Sequence, residues 1–265
     1  MKNQHSKPRV GIFGLTGCAG DQLQILNCED RLLELARDLD FVDWVMAKSD
    51  NDHSCTLDIA FVEGVVATEL DLERLKAVRE RTEVLVAIGT CAVWGGLPAM
   101  RNTLSGEALK REASTRGDLM SEVVEARPAT DFVPFDFRLT GCPIERDEFL
   151  ALVRAVLAGT SPELPAVPVC WECKTRELPC RVIFNQEICC GAMTRGGCGA
   201  RCPGHGVACS GCRGPVEEPN YDANVVMFAD RGLSWKDIAA KMRVFSAPVW
   251  MSMGLEEEAR KIRDE

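Results

Sequence analysis

"RVGIFGLTGCAGDQLQIL", Arg9 to Leu26, reads as a buried strand, a glycine-rich turn and the start of a helix. The apolar run "RVGIFGLT" lacks the polar alternation of a half-exposed strand, so it fits a strand covered on both faces. In the following "DQLQILNCEDRLLELARDL", Ile25, Cys28, Leu32, Leu35, Ala36 and Leu39 recur at helical spacing, predicting one helix from Asp21 to Leu39. The same grammar repeats along the first half. Strands are expected at "FVDWVMA" (Phe41 to Ala47), "DIAFVEGVV" (Asp58 to Val66), "EVLVAIGT" (Glu83 to Thr90) and, more weakly, "FDFRLTG" (Phe135 to Gly141). Thr68 with Asp71 forms a capping-box pattern that opens the helix "LDLERLKAVRERT". Pro143 can start the helix "PIERDEFLALVRAVLAG". Strands alternating with helices in this way predict an α/β fold, a doubly wound parallel sheet with helices on both faces.

A chain of 265 residues, 46% hydrophobic and 27% charged, can bury a substantial core. The net charge of −9, with Lys and Arg scattered among more numerous acids, argues against a nucleic-acid partner. No apolar stretch reaches membrane-spanning length, and the N-terminus does not read as a signal peptide. The expectation is therefore a cytoplasmic protein with no membrane association, where thiols stay reduced. Its fourteen cysteines then raise the question of metal.

Nine of the fourteen fall between Cys170 and Cys212. The proline-rich "GTSPELPAVPVC" (Gly159 to Cys170) reads as a stiff linker, dividing the chain into residues 1–160, the α/β domain, and 161–265, a small irregular cysteine-rich domain with a helical tail. Between the linker and about Pro219 the sequence has too little aliphatic material for its own core, so bound metal is expected to supply folding free energy. Beyond it, "SWKDIAAKMRVFS" predicts one amphipathic helix, and the charged "LEEEARKIRDE" a solvated one.

Ligands of open parallel sheets bind beyond the carboxyl ends of the strands. Cys18 follows the first strand, Cys91 ends "AIGTC" and Cys142 ends "RLTGC", which puts three thiols on one sheet edge. Asp21, three residues past Cys18, can turn back to the same point, making a four-ligand site. Gly17, Gly20, Gly89, Gly95, Gly96 and Gly141 allow close backbone approach to a bulky group. Cys28, on the apolar stripe of its helix, is assigned to packing, and Cys55 has no partner that the sequence names.

The later cysteines read Cys170-x2-Cys173-x6-Cys180, Cys189-Cys190, Cys198-x3-Cys202-Pro203 and Cys209-x2-Cys212. A four-thiolate zinc site from the pairs 170/173 and 209/212 uses four of the nine. Two cubane iron–sulfur clusters use eight, and Cys202-Pro203 matches the end of a ferredoxin run. Clusters are the better account; spacing alone leaves open which cysteine is spare and how eight ligands divide. His205 reads as a surface loop residue.

Taken together, "GLTGCAGDQLQIL", "DIAFVEGVV", "AIGTCAVWGG", "GCP", "CWECK" and "CPGHGVACSGCRGP" resemble, in order and setting, the small subunits of cytoplasmic nickel–iron hydrogenases. Sulfhydrogenase delta and deazaflavin-reducing small subunits are the nearest in pattern. The resemblance implies a flavodoxin-like first region and three [4Fe-4S] clusters. Cys18, Cys91 and Cys142 match ligands of the proximal cluster, and Asp21 stands where most relatives carry a fourth cysteine. Cys170, Cys173, Cys180, Cys189, Cys198, Cys202, Cys209 and Cys212 match ligands of two further clusters, leaving Cys190 spare. Glu63 matches the acid of the family's "VEG" segment, near the large-subunit interface and a candidate for the proton path. The implied function is electron relay between a NiFe large subunit and a flavin- or ferredoxin-like partner, with no nickel, zinc or catalytic residue on this chain.

Two rival functions follow from the same residues. One is a zinc-stabilised module that binds a nucleotide or a protein, for which "GLTGCAG" offers only a loose glycine-rich loop. The other is the same relay paired with a nickel-free large subunit.

Overall fold

The computed structural model describes residues 7–103 and 123–252. Five strands form one parallel sheet: β1 (Arg9–Gly14), β2 (Asp40–Asp43), β3 (Leu57–Glu63), β5 (Thr82–Ile88) and β7 (Phe137–Leu139), in the order β2-β1-β3-β5-β7. This is the flavodoxin-like order expected for a doubly wound sheet, with the switch point between β1 and β3. One face packs Val10, Ile12, Ile59, Phe61, Val86 and Ile88 against Ile25, Leu35, Phe149 and Val153. The other packs Leu57, Ala60, Val62, Leu85 and Ala87 against Leu75 and Val78.

Several elements depart from the sequence reading, each for a local reason. The helix expected from Asp21 to Leu39 is two, α1 (Gly20–Leu26) and α2 (Asp30–Asp38), because Glu29 takes a positive φ of 51° between them. Cys28, at the break, is buried in the core as expected. The second strand ends at Asp43, and residues 44–56 return to β3 without a helix. "DIAFVEGVV" divides at Gly64, whose φ of 91° turns the chain out of the sheet into β4 (Val65–Thr68). An added Cβ there would lie 2.9 Å from the Leu15 backbone. β4 pairs antiparallel with β6 (Val123–Pro128), a strand the sequence reading missed. The capping box is formed: the Asp71 amide donates to Thr68 Oγ1 at 3.1 Å and the Thr68 amide to Asp71 Oδ2 at 3.0 Å, opening α3 (Glu69–Glu80). A short helix, α4 (Gly89–Trp94), follows β5 directly. Pro143 does not begin a helix; α5 runs Arg146–Leu157 after a turn.

The second region is better provided than its composition suggested. Short helices α6 (Val169–Thr175), α7 (Arg181–Asn185) and α8 (Arg201–Gly204) carry the cysteine loops. Two longer helices, α9 (Tyr221–Ala229) and α10 (Trp235–Ser252), fold over them. Val169, Val182, Met193, Tyr221, Phe228, Ile238, Met242 and Trp250 make a small apolar cluster. The expectation of no apolar core is therefore corrected: residues distant in sequence, on α9 and α10, supply what the loops lack. α10 kinks at Ser246 and brings Pro248 against Gly95 of the first region. The charged tail of the sequence reading lies outside the described residues.

Candidate functional site

The strand tips gather the first four candidate ligands. Cys18 and Asp21 follow β1, Cys91 lies on α4 directly after β5, and Cys142 follows β7. Cys18 is exposed, whereas Asp21 is only 7% exposed. Burial pushes the Cys91 thiol up to about 12, helped by Cys142, Asp21 and Cys18 nearby. Burial likewise pushes Cys142 up to about 12, with Asp21, Cys212 and Cys18 adding to it. The four groups thus lie close enough that ionising Cys91 or Cys142 is opposed by the others.

Asp21 is held from two sides. Its Oδ1 accepts from the Ile144 amide at 2.9 Å, and its own amide donates to Glu63 Oε2 at 3.1 Å. Burial, with Glu63 as a neighbouring acid, raises its carboxyl to about 7 against the lowering contact from Ile144. Oδ2 rests on Gly89, where a Cβ would come within 1.8 Å; Gly89 also has a φ of 82°, so no other residue suits the position. Glu63 ends β3, 3% exposed, and accepts from Gln22 Nε2 at 2.7 Å; Trp44 Nε1 donates to Gln22 Oε1 at 2.9 Å. Sequence reading found Glu63 but missed Gln22 and Trp44, which come from separate elements and carry no spacing signal.

Does this set suit an iron–sulfur cube? Gly96 and Gly20 would each place a Cβ against a candidate ligand sulfur, at 2.5 Å from Cys91 Sγ and 3.2 Å from Cys18 Sγ. The backbone here approaches the thiols as closely as a bulky inorganic group would require. Three soft sulfurs and one oxygen, which would repel one another once ionised, are a donor set that an iron core would neutralise. The residues fit the group.

In the second region, Cys170, Cys173, Cys180 and Cys189 assemble together. Burial raises Cys170 to about 11, and the nearby Cys189, Cys173 and Cys180 raise it further. Cys198, Cys202 and Cys212 form another group: burial raises the Cys212 thiol, and Cys198 and Cys202 raise it further. Cys212 also accepts a hydrogen bond from the Cys142 amide, so this group abuts the strand-tip site. Cys209 goes elsewhere: its amide donates to Cys189 Sγ at 3.3 Å, and its thiol is buried near Cys190 and Cys189. Cys190, 4% exposed, lies in the apolar cluster, where burial holds its thiol at about 12. The pairs 170/173 and 209/212 do not converge. Among the described residues, no three His, Cys, Asp or Glu side chains are placed to hold one metal ion.

Thr90, fully buried, joins the two regions. Its Oγ1 donates to the Cys212 carbonyl at 2.5 Å and accepts from the Gly141 amide at 3.1 Å, while its own amide bonds the Gly141 carbonyl. Sequence reading passed over it, since a threonine between Gly89 and Cys91 signals nothing by itself.

Residues 18–156 match the family model described as NADH ubiquinone oxidoreductase, 20 Kd subunit. The chain belongs to this family. Within it, the chain is 35% identical to sulfhydrogenase 2 subunit delta of Pyrococcus furiosus, over 90% of this chain and 99% of that one. It is 29% identical to the delta subunit of the NAD-reducing hydrogenase HoxS of Cupriavidus necator, over 62% and 85% of the two chains. A solved structure of an NAD+-reducing [NiFe]-hydrogenase in the H2-reduced state superposes with a TM-score of 0.55 at 30% identity, covering 60% of this chain and 96% of that chain. This member of the 20 Kd subunit family is thus a hydrogenase-type small subunit with electron transfer as its role. Among its described residues no helix is long and apolar enough to cross a membrane.

Proposed function

We propose that this chain relays electrons through three [4Fe-4S] clusters between a NiFe large subunit and a flavin- or ferredoxin-like partner in the cytoplasm. The single observation that carries the reading is the series of three ligand groups: the strand-tip set, the Cys198 group abutting it through Cys212, and the Cys170 group beyond. Ligands of one cube each bind a different iron, so they stand farther apart than four donors to one ion, and these looser groups suit that spacing. The boundary near residue 160 then separates the domain of the first cluster from that of the other two.

Each end of the series opens outward. Cys18 is exposed beside Leu23, 48% exposed, which fits a face that the large subunit covers. Trp171, Ile183 and Phe184, at 55%, 63% and 72% exposed, flank Cys170, Cys173 and Cys180, which suits the docking of an electron acceptor. Bound clusters would supply one-electron chemistry. The chain's own part is to fix ligand sulfurs close together, since tunnelling weakens steeply with distance, and to surround them with backbone N–H groups. In the first site, Asp21 is proposed as the oxygen ligand: Oδ1 is fixed by Ile144, and Oδ2 rests against Gly89. Cys209 is proposed to complete one of the two outer sets.

Anaerobic preparation should give about twelve irons per chain, three cubes of four, with matching acid-labile sulfide. The co-purified complex should reduce a viologen dye with hydrogen. Iron near one cube per chain, or a colourless zinc protein, would overturn the reading; full iron without hydrogen-dependent dye reduction would instead favour a nickel-free partner.

A further inference from the structure

A cavity of about 240 Å³ lies on the seam between the two regions, and no cysteine lines it. The first region gives it Trp94, Arg138 and Glu148, and the second gives it Arg195 and Arg213. Its volume is several times the roughly 30 Å³ of one water and below the roughly 300 Å³ at which cofactor pockets begin, a range that suits a small ion with some of its hydration.

The lining carries more donors than the protein answers. Arg213, 2% exposed, gives Nε to the Gly196 carbonyl at 2.7 Å and Nη2 to both carboxylate oxygens of Glu148 at 2.7 Å. Its Nη1 is buried without an acceptor among the described residues, and so is Trp94 Nε1. The guanidinium of Arg138 has no hydrogen bond or ion pair among the described residues. Arg195 has one long hydrogen bond, from Nη1 to the Pro165 carbonyl at 3.4 Å, and no carboxylate partner among them. Local structure brings these groups together. Arg138 is fixed on β7, where it pairs with Ala87. The Arg195 amide bonds the Gly214 carbonyl at 3.0 Å, which seats Arg195 beside the residue that follows Arg213. The Trp94 indole lies on Gly214 itself, where a Cβ would fall 2.3 Å from Nε1; with a φ of 73° as well, the position suits glycine alone.

Charge points the same way. Three arginines line the cavity against two acids, Glu148 and Glu217; Glu148 is fully engaged by Arg213, and Glu217 is exposed. Buried N–H groups without acceptors are costly, so such groups normally have a partner.

We infer that this cavity is a binding site for a small tetrahedral oxyanion, phosphate or sulfate in charge and shape, held by Arg138, Arg195 and Arg213 with Trp94 and fastening the two regions together. Guanidinium forks match oxyanion geometry, and a tetrahedral group offers four oxygens to donors arriving from separate segments, where a carboxylate offers two. The site stands apart from the cluster reading, since its lining holds no cysteine.

The test is isothermal titration calorimetry of the anaerobically purified complex with inorganic phosphate, sulfate and malonate at constant ionic strength, with iron measured in every sample. The informative variant is R138Q with R195Q, because neither arginine has an ion-pair partner among the described residues to strand. It should weaken phosphate binding by about tenfold or more, as loss of charge-assisted hydrogen bonds requires. Without phosphate the variant should melt with wild type; with phosphate, wild type should rise to a saturating value and the variant should not follow. Trp94→Phe, which keeps an apolar ring and deletes one donor, should weaken phosphate several-fold at full iron, and serves if the double variant folds poorly. Absence of saturable phosphate or sulfate binding, or equal binding in wild type and variants, would overturn the inference and leave the cavity to water. Malonate binding tighter than both tetrahedral anions would overturn the choice of ligand.

Discussion

Replacing Thr90 with valine preserves the side-chain outline and deletes one hydroxyl. That hydroxyl answers two groups from different regions, the Cys212 carbonyl at 2.5 Å and the Gly141 amide at 3.1 Å, and the residue is 0% exposed. Water cannot readily take its place. Each buried polar group left unanswered costs about 1–3 kcal/mol, so the pair should cost about 4 kcal/mol. For a domain of this size, 1 kcal/mol moves the melting temperature by about 2–4 °C, which puts the expected fall near 8–16 °C. Thr90→Ser keeps both hydrogen bonds and loses only a methyl group, so it should fall by roughly a quarter as much. The assay is differential scanning calorimetry of anaerobic protein with iron quantified before and after. If valine melts within about 2 °C of wild type, or serine falls as far as valine, the hydroxyl does not hold the regions together and the reasoning fails.

Gly89→Ala should expel the Asp21 carboxylate, since the new Cβ falls 1.8 Å from Oδ2 at a φ of 82°; iron analysis should show loss of one cube with the others retained. Arg81 donates to Asp43, 1% exposed, at 2.6 Å, and among the described residues the other partner of that acid is His53, whose side chain is 69% exposed. Arg81→Leu should therefore destabilise the chain by about 3–5 kcal/mol, read from denaturant midpoints, while Asp43→Asn with Arg81→Leu should recover part of the loss. Burial raises the Cys28 thiol above its usual 9.0, so its stabilising contribution is complete below pH 9 and declines as the pH rises through the folded-state value. Melting curves from pH 7 to 10.5 should fall more steeply in wild type than in Cys28→Ala; parallel curves would contradict this.

The fold was legible where one local rule governed each element. Unbroken apolar runs such as Val84–Ile88 can only be strands covered on both faces, and the Thr68–Asp71 capping box sets a helix start by chemistry four residues long. Placing Cys18, Cys91 and Cys142 on one sheet edge needed no more than the rule that parallel strands end on the same side. Breaks were less legible. The bend at Glu29 and the exit at Gly64 depend on what packs beside the backbone, which periodicity does not encode.

What the sequence by itself determined was the parallel sheet, the inventory of cysteines and their division into strand-tip and loop sets, because these follow from periodicity and spacing. Only the tertiary structure decided that Cys212 abuts Cys142, that Cys209 turns toward Cys189, that Thr90 ties Gly141 to Cys212 and that Glu148 meets Arg213. Those contacts join residues twenty to more than a hundred positions apart, as in the Thr90 to Cys212 separation of 122. Their partners are chosen by the packing of the cysteine loops against the strand tips and α5, a free energy summed over the whole chain rather than over any one segment of it.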